Sequence, residues 1–457
     1  MYVTPAPYVT PAPTISEMVG KIVDNGAERL PELLRRGLAE DGRDYVHWDK
    51  LRQLKPPGDL SPEEWWLLIK WGRRNVGRAI PLTDPSGQHF VYGVPDLVAR
   101  RLHYVDQRCA GEVAMSEVVT ADAQARQHYL VNSFMEEAIR SSQLEGATTT
   151  RRVAKELLQT GREPKDRSER MILNNYRALQ YMRDEMPTEL TPSTVLELQR
   201  ILTDGTLEDP DAAGRLQRPD EERIAVVDRL DGTVIHAPPP AEQLPARLQA
   251  LCDFANEGES PDRFIHPVVR AILLHFWLAY DHPFEDGNGR TARALFYWYM
   301  RTHGYWLVEY LSISRILRHA PSKYTRAFVL TETDERDATY FIVYQLGVIQ
   351  SAVEELHHYL RQKIKDVRDV EALLEGSDQL NHRQLAVLGN ALRVPDAIYT
   401  FQTHAVSHGV THETARTDLL GLVEMGFLEQ RRQGRRYVFS PPADLPKRLR
   451  ASNSAGR

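Results

Sequence analysis

Two apolar stretches of the chain are joined by the segment His282-Pro283-Phe284-Glu285-Asp286-Gly287-Asn288-Gly289-Arg290-Thr291-Ala292-Arg293. Gly287 and Gly289 allow the backbone to turn sharply before a helix, and the unpaired N–H groups at a helix N-terminus bind anions. Arg290 and Arg293 are three positions apart, so they share one helical face, and two guanidinium groups together suit a polyphosphate. The segment therefore predicts a binding site for a triphosphate.

Two further side chains of this segment suggest chemistry. Asp286 supplies the hard carboxylate oxygen that a Mg²⁺ ion bound to phosphate would need. His282, with an ordinary pKa of about 6.5, can accept a hydroxyl proton near neutral pH. Taken piece by piece, the segment also fits a common Asp-Gly turn followed by a solvated, salt-bridged helix. The complete set in one segment favours a base, a metal ligand and a phosphate clamp.

The whole segment resembles the signature of the Fic family, His-Pro-Phe-x-Asp-Gly-Asn-Gly-Arg-x-x-Arg, at every fixed position, and the likeness extends over roughly residues 115–360. The resemblance implies a Mg²⁺-dependent protein adenylyltransferase, which transfers AMP from ATP to a Ser, Thr or Tyr hydroxyl of a target protein. It assigns the general base to His282 and the Mg²⁺ ligand to Asp286. The family positions that would bind the phosphates of ATP are Gly287, Asn288, Gly289, Arg290 and Arg293. Doc-type relatives, which transfer a phosphoryl group, have lysine where this chain has Gly289.

A second resemblance concerns the stretch Ser141-Ser142-Gln143-Leu144-Glu145-Gly146. It is similar to the inhibitory motif of the same family, and the matching residues are Ser141, Glu145 and Gly146. Glu145 ends a predicted helix over 121–146, where the helix dipole disfavours an anion by roughly 0.3–1 kcal/mol, so a cationic partner would offset this cost. The resemblance nominates Arg293, and their ion pair would prevent productive ATP binding. Such a helix, N-terminal to the core in the same chain, is typical of class II Fic proteins.

Two alternatives to this inhibitory role stay open. Glu145 could be an exposed residue that caps nothing, or it could orient a water molecule that removes AMP from the modified target. In the second case the protein would be a deAMPylating hydrolase that uses the same site.

Helical periodicity dominates the middle of the chain, so the predicted fold is mainly α, a Fic helical bundle. The exception is the stretch 224–236, where two short runs of branched residues flank Leu230-Asp231-Gly232 and predict a β-hairpin. By resemblance, this hairpin is the flap, on which the hydroxyl-bearing segment of a target protein would dock edge to edge.

The C-terminal part predicts three helices and two short strands, a pattern that resembles a winged helix-turn-helix. The recognition helix over 411–424 and a basic wing over 431–436 would contact DNA, or equally a protein. A further alternative is therefore a DNA-binding regulator whose Fic core senses nucleotide. Self-modification and a homodimer are also left open. The predicted parts in chain order are a flexible repeat arm (1–13), an accessory region (14–114), the Fic core (115–373), the winged helix (379–445) and a tail (446–457).

The composition supports an ordinary globular protein. The 457 residues carry 57 basic and 63 acidic side chains, so no global positive field favours nucleic acid or an anionic membrane. Cys109 and Cys252 are too few for a disulfide framework or a zinc cluster and are expected to be buried, inert thiols. No apolar stretch is long enough to span a bilayer, and we expect a cytoplasmic protein without a membrane partner.

Overall fold

The computed structural model describes residues 9–25, 28–36, 44–110, 123–224, 226–227, 234–258, 264–374, 380–393, 397–433 and 436–455. The contacts divide the chain into two units, Met1–Leu356 and His357–Arg457. Helices dominate the described residues of both units, which confirms the predicted fold class.

The described residues of the first unit contain most of the helices and four short strands. In chain order, its elements are α1 (Ile15–Asn25), α2 (Arg29–Arg36), α3 (Trp48–Leu51), α4 (Pro62–Val76), β1 (Arg78–Thr83), β2 (His89–Tyr92), α5 (Asp96–Val105), α6 (Ala123–Leu144), α7 (Arg151–Thr160), α8 (Arg167–Asp184), α9 (Pro192–Thr203), β3 (Val226–Val227), β4 (Val234–His236), α10 (Leu244–Asn256), α11 (Pro267–Asp281), α12 (Asn288–Thr302), α13 (Ile313–His319) and α14 (Pro321–Glu332). Helix α15 (Thr339–Leu374) contains the boundary between the two units.

The helices α11 and α12 form the centre of the first unit. Nearly all side chains of both helices are buried, which explains why the stretches around the quoted segment are apolar on every face. Helix α11 begins at Pro267, whose missing N–H costs nothing at a helix start. It ends at Asp281, because Pro283 disfavours the helical conformation at the residue before it.

Two parts of the N-terminal region differ from the sequence-based picture. Strands β1 and β2 form an antiparallel pair where only helices and loops were expected, and the stretch Asp84-Pro85-Ser86-Gly87 lies between them. Residues 9–13 of the predicted flexible arm are in contact with the rest of the unit. Val9 is buried, and the N–H of Ala12 donates to the carbonyl of Thr333 at 2.9 Å. Residues 1–8 lie outside the described residues.

The flap region is described only in part. Strands β3 and β4 pair antiparallel, with Val226 opposite His236. Residue 225 and residues 228–233, which include the predicted Asp-Gly turn, lie outside the described residues. The paired strands are consistent with a hairpin, and its docking role stays a prediction.

The second unit has its own apolar core. After α15, its elements are α16 (His382–Arg393), α17 (Phe401–His408), α18 (His412–Glu424), β5 (Glu429–Gln433), β6 (Arg436–Ser440) and α19 (Leu445–Ala455). Tyr399 forms an isolated antiparallel bridge to Phe439, so a third short segment lies beside β6. Residues 446–455 belong to α19, whose Leu445 and Leu449 are buried in this core, and are not an independent tail.

The described residues of the basic stretch 431–436, which the sequence predicts as a wing, belong to paired strands. Arg431 pairs with Val438, and Arg432 pairs with Tyr437, inside the β5–β6 ladder. The strands are longer than the apolar pattern suggested, because exposed strand positions accept arginine as readily as a turn does.

Both cysteines are free and buried, as expected. Burial raises the pKa of each thiol to about 12, so neither forms a reactive thiolate near neutral pH. Among the described residues, no helix has both the length and the apolar character needed to cross a membrane.

Candidate active site

His282 lies directly after α11, in the left-handed backbone conformation. Its φ of 46° is unusual for a residue with a side chain and costs roughly 1–2 kcal/mol. Its N–H donates to the carbonyl of Leu278 at 3.1 Å and closes the last helical turn. The chain leaves the helix at this residue and enters the loop that precedes α12.

The imidazole of His282 is neutral. Burial, together with the nearby charges of His236 and Arg223, lowers its pKa to about 3. Its Nδ1 lies 3.4 Å from the carbonyl oxygen of Ala279, which can only accept, so Nδ1 carries the proton. Nε2 is therefore unprotonated and can accept a proton throughout the neutral pH range.

The loop between α11 and α12 is closed by its own residues. The Oδ1 of Asn288 accepts from the N–H of Phe284 at 2.9 Å, and its Nδ2 donates to the carbonyl of Phe284 at 2.8 Å. Phe284 is fully buried and anchors the loop in the core. Gly287 has a φ of 86°, and a Cβ atom there would lie 2.9 Å from Cγ2 of Thr203, so this position requires glycine.

A cleft of about 330 Å³ adjoins the loop. Gly287 is the N-cap of α12 and has no side chain, so its own residue does not cap the first N–H groups of the helix, and no described side chain is recorded as capping them. His282, Asn288, Gly289 and Glu145 all line this cleft. A base and a helix N-terminus thus share one cavity, in which a phosphate and a hydroxyl group could meet.

Asp286 also lines the cleft, as an ionised carboxylate. Burial opposes ionisation, but Arg290 and the N–H of Gly287 outweigh it, and the pKa of the carboxyl group is lowered. Its Oδ2 lies 3.2 Å from Nη2 of Arg167, and its Oδ1 lies 3.3 Å from Nη2 of Arg290. An ionised carboxylate beside a helix N-terminus suits Mg²⁺, which takes few protein ligands and completes its shell with water and, where present, phosphate oxygens. The described ranges contain no cluster of three or more His, Cys, Asp or Glu side chains that could hold a metal by themselves.

The structure separates the two arginines that the sequence assigns to one helical face. Arg290 is buried, and its Nη1 donates to the carbonyl of Leu202 at 2.8 Å. Arg293 points to α6, where its Nε donates to Oγ of Ser141 at 3.0 Å and its Nη2 donates to Oε1 of Glu145 at 2.8 Å. The two guanidinium groups therefore do not converge on one phosphate site in this conformation, because protein oxygens already bind both.

Helix α6 is fixed next to the site by the buried Glu137. The carboxylate of Glu137 accepts from Oγ of Ser312 at 2.8 Å, and from Oγ and N–H of Ser314 at 2.5 and 3.2 Å. Glu145 is the first residue after α6, and its side chain is only 6% exposed. Gly146 follows with a φ of 104° and also lines the cleft. The carboxylate of Glu145 is thus held against Arg293 by a packed helix.

Four residues near the loop were not singled out from the sequence: Arg167, Gln199, Arg223 and His236. Gln199 donates from Nε2 to the carbonyl of Asp286 at 3.0 Å and so supports the loop from α9. Arg223 and His236 contact the end of α11, and the only sequence signal for them is a basic residue near each end of the predicted hairpin. Arg167 and Gln199 carry no signal, since polar residues are ordinary on helix surfaces.

The fold and the site define a helical protein in which a helix N-terminus lies next to a neutral histidine. Residues 189–300 match the model of the Fic/DOC family. The chain therefore contains a Fic domain.

Two relatives are similar to parts of this chain. A protein adenylyltransferase Fic from Drosophila willistoni is 29% identical over 219 residues, which cover 46% of this chain and 40% of the relative. A protein adenylyltransferase Fic from Nematostella vectensis is 45% identical over 60 residues, which cover 13% of this chain and 14% of the relative. This chain thus matches less than half the length of either relative.

A solved structure shows the same fold over a longer stretch. A Fic family protein from Desulfovibrio desulfuricans G20 is similar with a TM-score of 0.51 and 19% identity, covering 80% of this chain and 99% of that chain. At this identity the likeness shows the fold alone.

Proposed function

We propose that this protein is a protein adenylyltransferase, which transfers AMP from ATP to a Ser, Thr or Tyr hydroxyl of a target protein. The observation that carries the proposal is the neutral His282 in the same cleft as the N-terminus of α12, whose N-cap Gly287 has no side chain. The relatives named protein adenylyltransferase Fic support it.

The residues of the cleft would divide the reaction between them. The target hydroxyl oxygen attacks the α-phosphorus of ATP, its proton passes to Nε2 of His282, and the bond from the α-phosphorus to the leaving pyrophosphate breaks. The N–H groups of Asn288 and Gly289 stabilise the negative charge of the phosphate oxygens. Arg290 and Arg293 would bind the outer phosphates once their present contacts are exchanged for ATP.

Asp286 would hold Mg²⁺. A bound Mg²⁺ ion would neutralise part of the phosphate charge. The carboxylate is suited to this because its lowered pKa keeps it ionised. The ion pairs of Asp286 with Arg167 and Arg290 keep it oriented at the edge of the cleft.

We further propose that Glu145 restrains this activity. Its ion pair with Arg293 at 2.8 Å occupies a guanidinium group that the proposed reaction needs for phosphate. Within the part of the chain that the structure describes, the buried Nη1 of Arg293 has no hydrogen-bond partner, so this group could bind a phosphate oxygen. A glutamate in the same cleft as His282 is also compatible with the reverse reaction, in which it would orient water for removal of AMP.

The position of the label in ATP tests the reaction. Incubation of the Glu145→Gly variant with ATP labelled at the α-phosphate is expected to label the protein itself or proteins of a lysate, and His282→Ala should abolish this. ATP labelled at the γ-phosphate should give no label. Transfer of the γ-label would indicate a phosphotransferase, and loss of label from a previously adenylylated target would favour the hydrolase.

DNA contact by the second unit is a second candidate function. Residues 379–457 contain eleven Lys and Arg against six Asp and Glu, although the whole chain has a formal charge of -6. Arg416 on α18 and both Arg431 and Arg432 on β5 are exposed. Asp418 fixes α18 to the neighbouring helices, since it accepts from Nε of Arg383 at 2.7 Å and lies 3.1 Å from Nε2 of His404. A rigid helix beside a basic strand pair is the arrangement with which winged helices contact duplex DNA.

A further inference from the structure

The hairpin β3–β4 has two stems, the chain that leads into β3 and the end of β4. Both stems are bound to the end of α11. Arg223 lies three residues before β3, and His236 is the last residue of β4. The Nη2 of Arg223 donates to the carbonyl oxygens of Asp281 at 2.8 Å and of His282 at 3.1 Å. The Nε2 of His236 donates to the carbonyl of Tyr280 at 2.6 Å. Side chains from the hairpin stems thus bind the carbonyl groups of three consecutive residues, Tyr280, Asp281 and the candidate base His282.

Arg223 also connects the two stems with each other. Its Nε donates to the carbonyl of Pro239 at 2.9 Å, and Pro239 follows β4 in the chain. Its Nη1 donates to Oε1 of Gln217. The guanidinium group therefore binds three segments at once: the chain before the hairpin, the chain after it and the end of α11. A shift of either stem would change the contacts of Arg223 to Asp281 and His282.

His236 is held as a cation between two elements. Its Nδ1 lies 3.0 Å from Oε2 of Glu332 in α14, so both ring nitrogens face acceptors and both donate. Burial opposes the charge, but Glu332 outweighs it and the pKa of His236 is raised, with Asp281 of α11 as the other nearby anion. The ring packs on Tyr280, with 4.6 Å between the ring centroids. A cation at the carboxyl end of a helix is also favoured by the helix dipole.

We propose that Arg223 and His236 are positioning residues that hold the end of α11, and with it His282, and so couple the hairpin to the candidate base. A left-handed residue that is not glycine persists only where its surroundings hold it, and the carbonyl of His282 itself accepts from Arg223. A strand that pairs with the hairpin would displace the stems, and the same two side chains would transmit this displacement to His282. The inference rests on the proposed function only in taking His282 as the base.

Kinetics of two variants test the coupling. In the Glu145→Gly protein, His236→Gln and Arg223→Lys should each lower kcat for self-labelling from α-labelled ATP by about tenfold to a hundredfold, because small displacements of a catalytic group have effects of this size. The KM for ATP should change less than about twofold, since neither side chain is expected to bind ATP. The matched control is His303→Gln, because His303 makes the same kind of contact, from Nδ1 to the carbonyl of Tyr299 at 2.9 Å, at the end of α12.

The pKa of His282 provides a readout that does not require AMP transfer. NMR titration of the full-length protein should give a raised pKa for His282 in His236→Gln, because the cation that helps to hold this pKa down is removed, and no change in His303→Gln. If His236→Gln does not fold, Glu332→Gln, which weakens the charge on His236 with its ring retained, should give the same upward shift. Unchanged kcat together with an unchanged pKa of His282 would overturn the coupling. Absence of labelling in the Glu145→Gly parent would contradict the proposed function instead, and the titration would still decide the coupling.

Discussion

The protonation state of His282 is decided by its surroundings and not by its residue type. An exposed histidine is half-protonated near pH 6.5, whereas burial and the charges of His236 and Arg223 lower the pKa of His282 to about 3. The base form is therefore complete above about pH 4. At the scale of single residues, the site contains a neutral imidazole that acidification within the physiological range does not protonate.

The neutral state of His282 predicts how the proposed reaction depends on pH. At saturating ATP, kcat of the Glu145→Gly variant should stay constant between pH 8 and pH 5.5. A histidine with an ordinary pKa would retain only about one tenth of its base form at pH 5.5. A decline of kcat with a midpoint near pH 6.5 would contradict the lowered pKa that burial gives His282. It would also contradict the role of His282 as the only titrating base.

The ion pair between Glu145 and Arg293 leads to a second prediction at this scale. Glu145→Gln should raise AMP transfer by at least about tenfold, which corresponds to the loss of roughly 1.4 kcal/mol of restraint. It should also lower Tm without ATP, because Arg293 is left as a buried, poorly paired charge, and ATP should then raise Tm more than in the parent. Differential scanning fluorimetry with and without ATP measures the second effect.

The matched control for this prediction is Glu136→Gln. Glu136 lies on the same helix and pairs with Arg140 and Arg151, each at 2.8 Å, but it does not line the cleft. Its substitution should leave AMP transfer unchanged. Equal rates for Glu145→Gln and the parent protein would rule out the restraint.

At the scale of elements, the start of α12 depends on the backbone of Gly287. The loop reaches the helix through a left-handed N-cap, and Thr203 of α9 occupies the space next to its Cα. Helix α9 also supports the loop through Gln199, so the position of the anion-binding N-terminus is set by a neighbouring helix as well as by the glycine itself.

Gly287→Ala tests this dependence. The substitution should destabilise the protein by about 1–3 kcal/mol, because it combines left-handed strain with a Cβ contact of 2.9 Å to Thr203. It should also lower AMP transfer, since the first N–H groups of α12 would move. Gly20→Ala is the control, because Gly20 lies on α1 and no described atom outside its own helix backbone lies within 4 Å of a Cβ added there. The substitution should be neutral or slightly stabilising in urea unfolding. Equal stability of the two variants would contradict the predicted strain.

At the scale of the whole molecule, the net charge of -6 conceals a basic second unit. If this unit contacts DNA, Arg431→Gln with Arg432→Gln should weaken binding of a DNA duplex and reduce the slope of log K against log salt by about two, since each lost phosphate contact removes about 0.9. The control is Arg100→Gln with Arg177→Gln, two exposed arginines of the first unit that change the net charge equally. Equal DNA affinity of the two double variants would favour protein docking over DNA contact.

The sequence by itself determined the parts of the site that depend on local order. Helical periodicity predicted α11 and α12, Pro283 marks the end of α11, and the two glycines predict the sharp start of α12. These features depend on neighbours in the chain, so a reader of the sequence alone can find them. The same holds for the resemblance on which the Fic assignment was first based.

The tertiary structure alone decided how distant residues meet. It directs Arg290 to the carbonyl of Leu202 and Arg293 to Glu145, although both arginines share one helical face. It also brings Arg223 and His236 to the end of α11. The physical reason is that a buried donor binds whichever acceptor the packing brings within reach, and that acceptor belongs to a segment far away in the chain. Spacing along the sequence carries no record of such contacts.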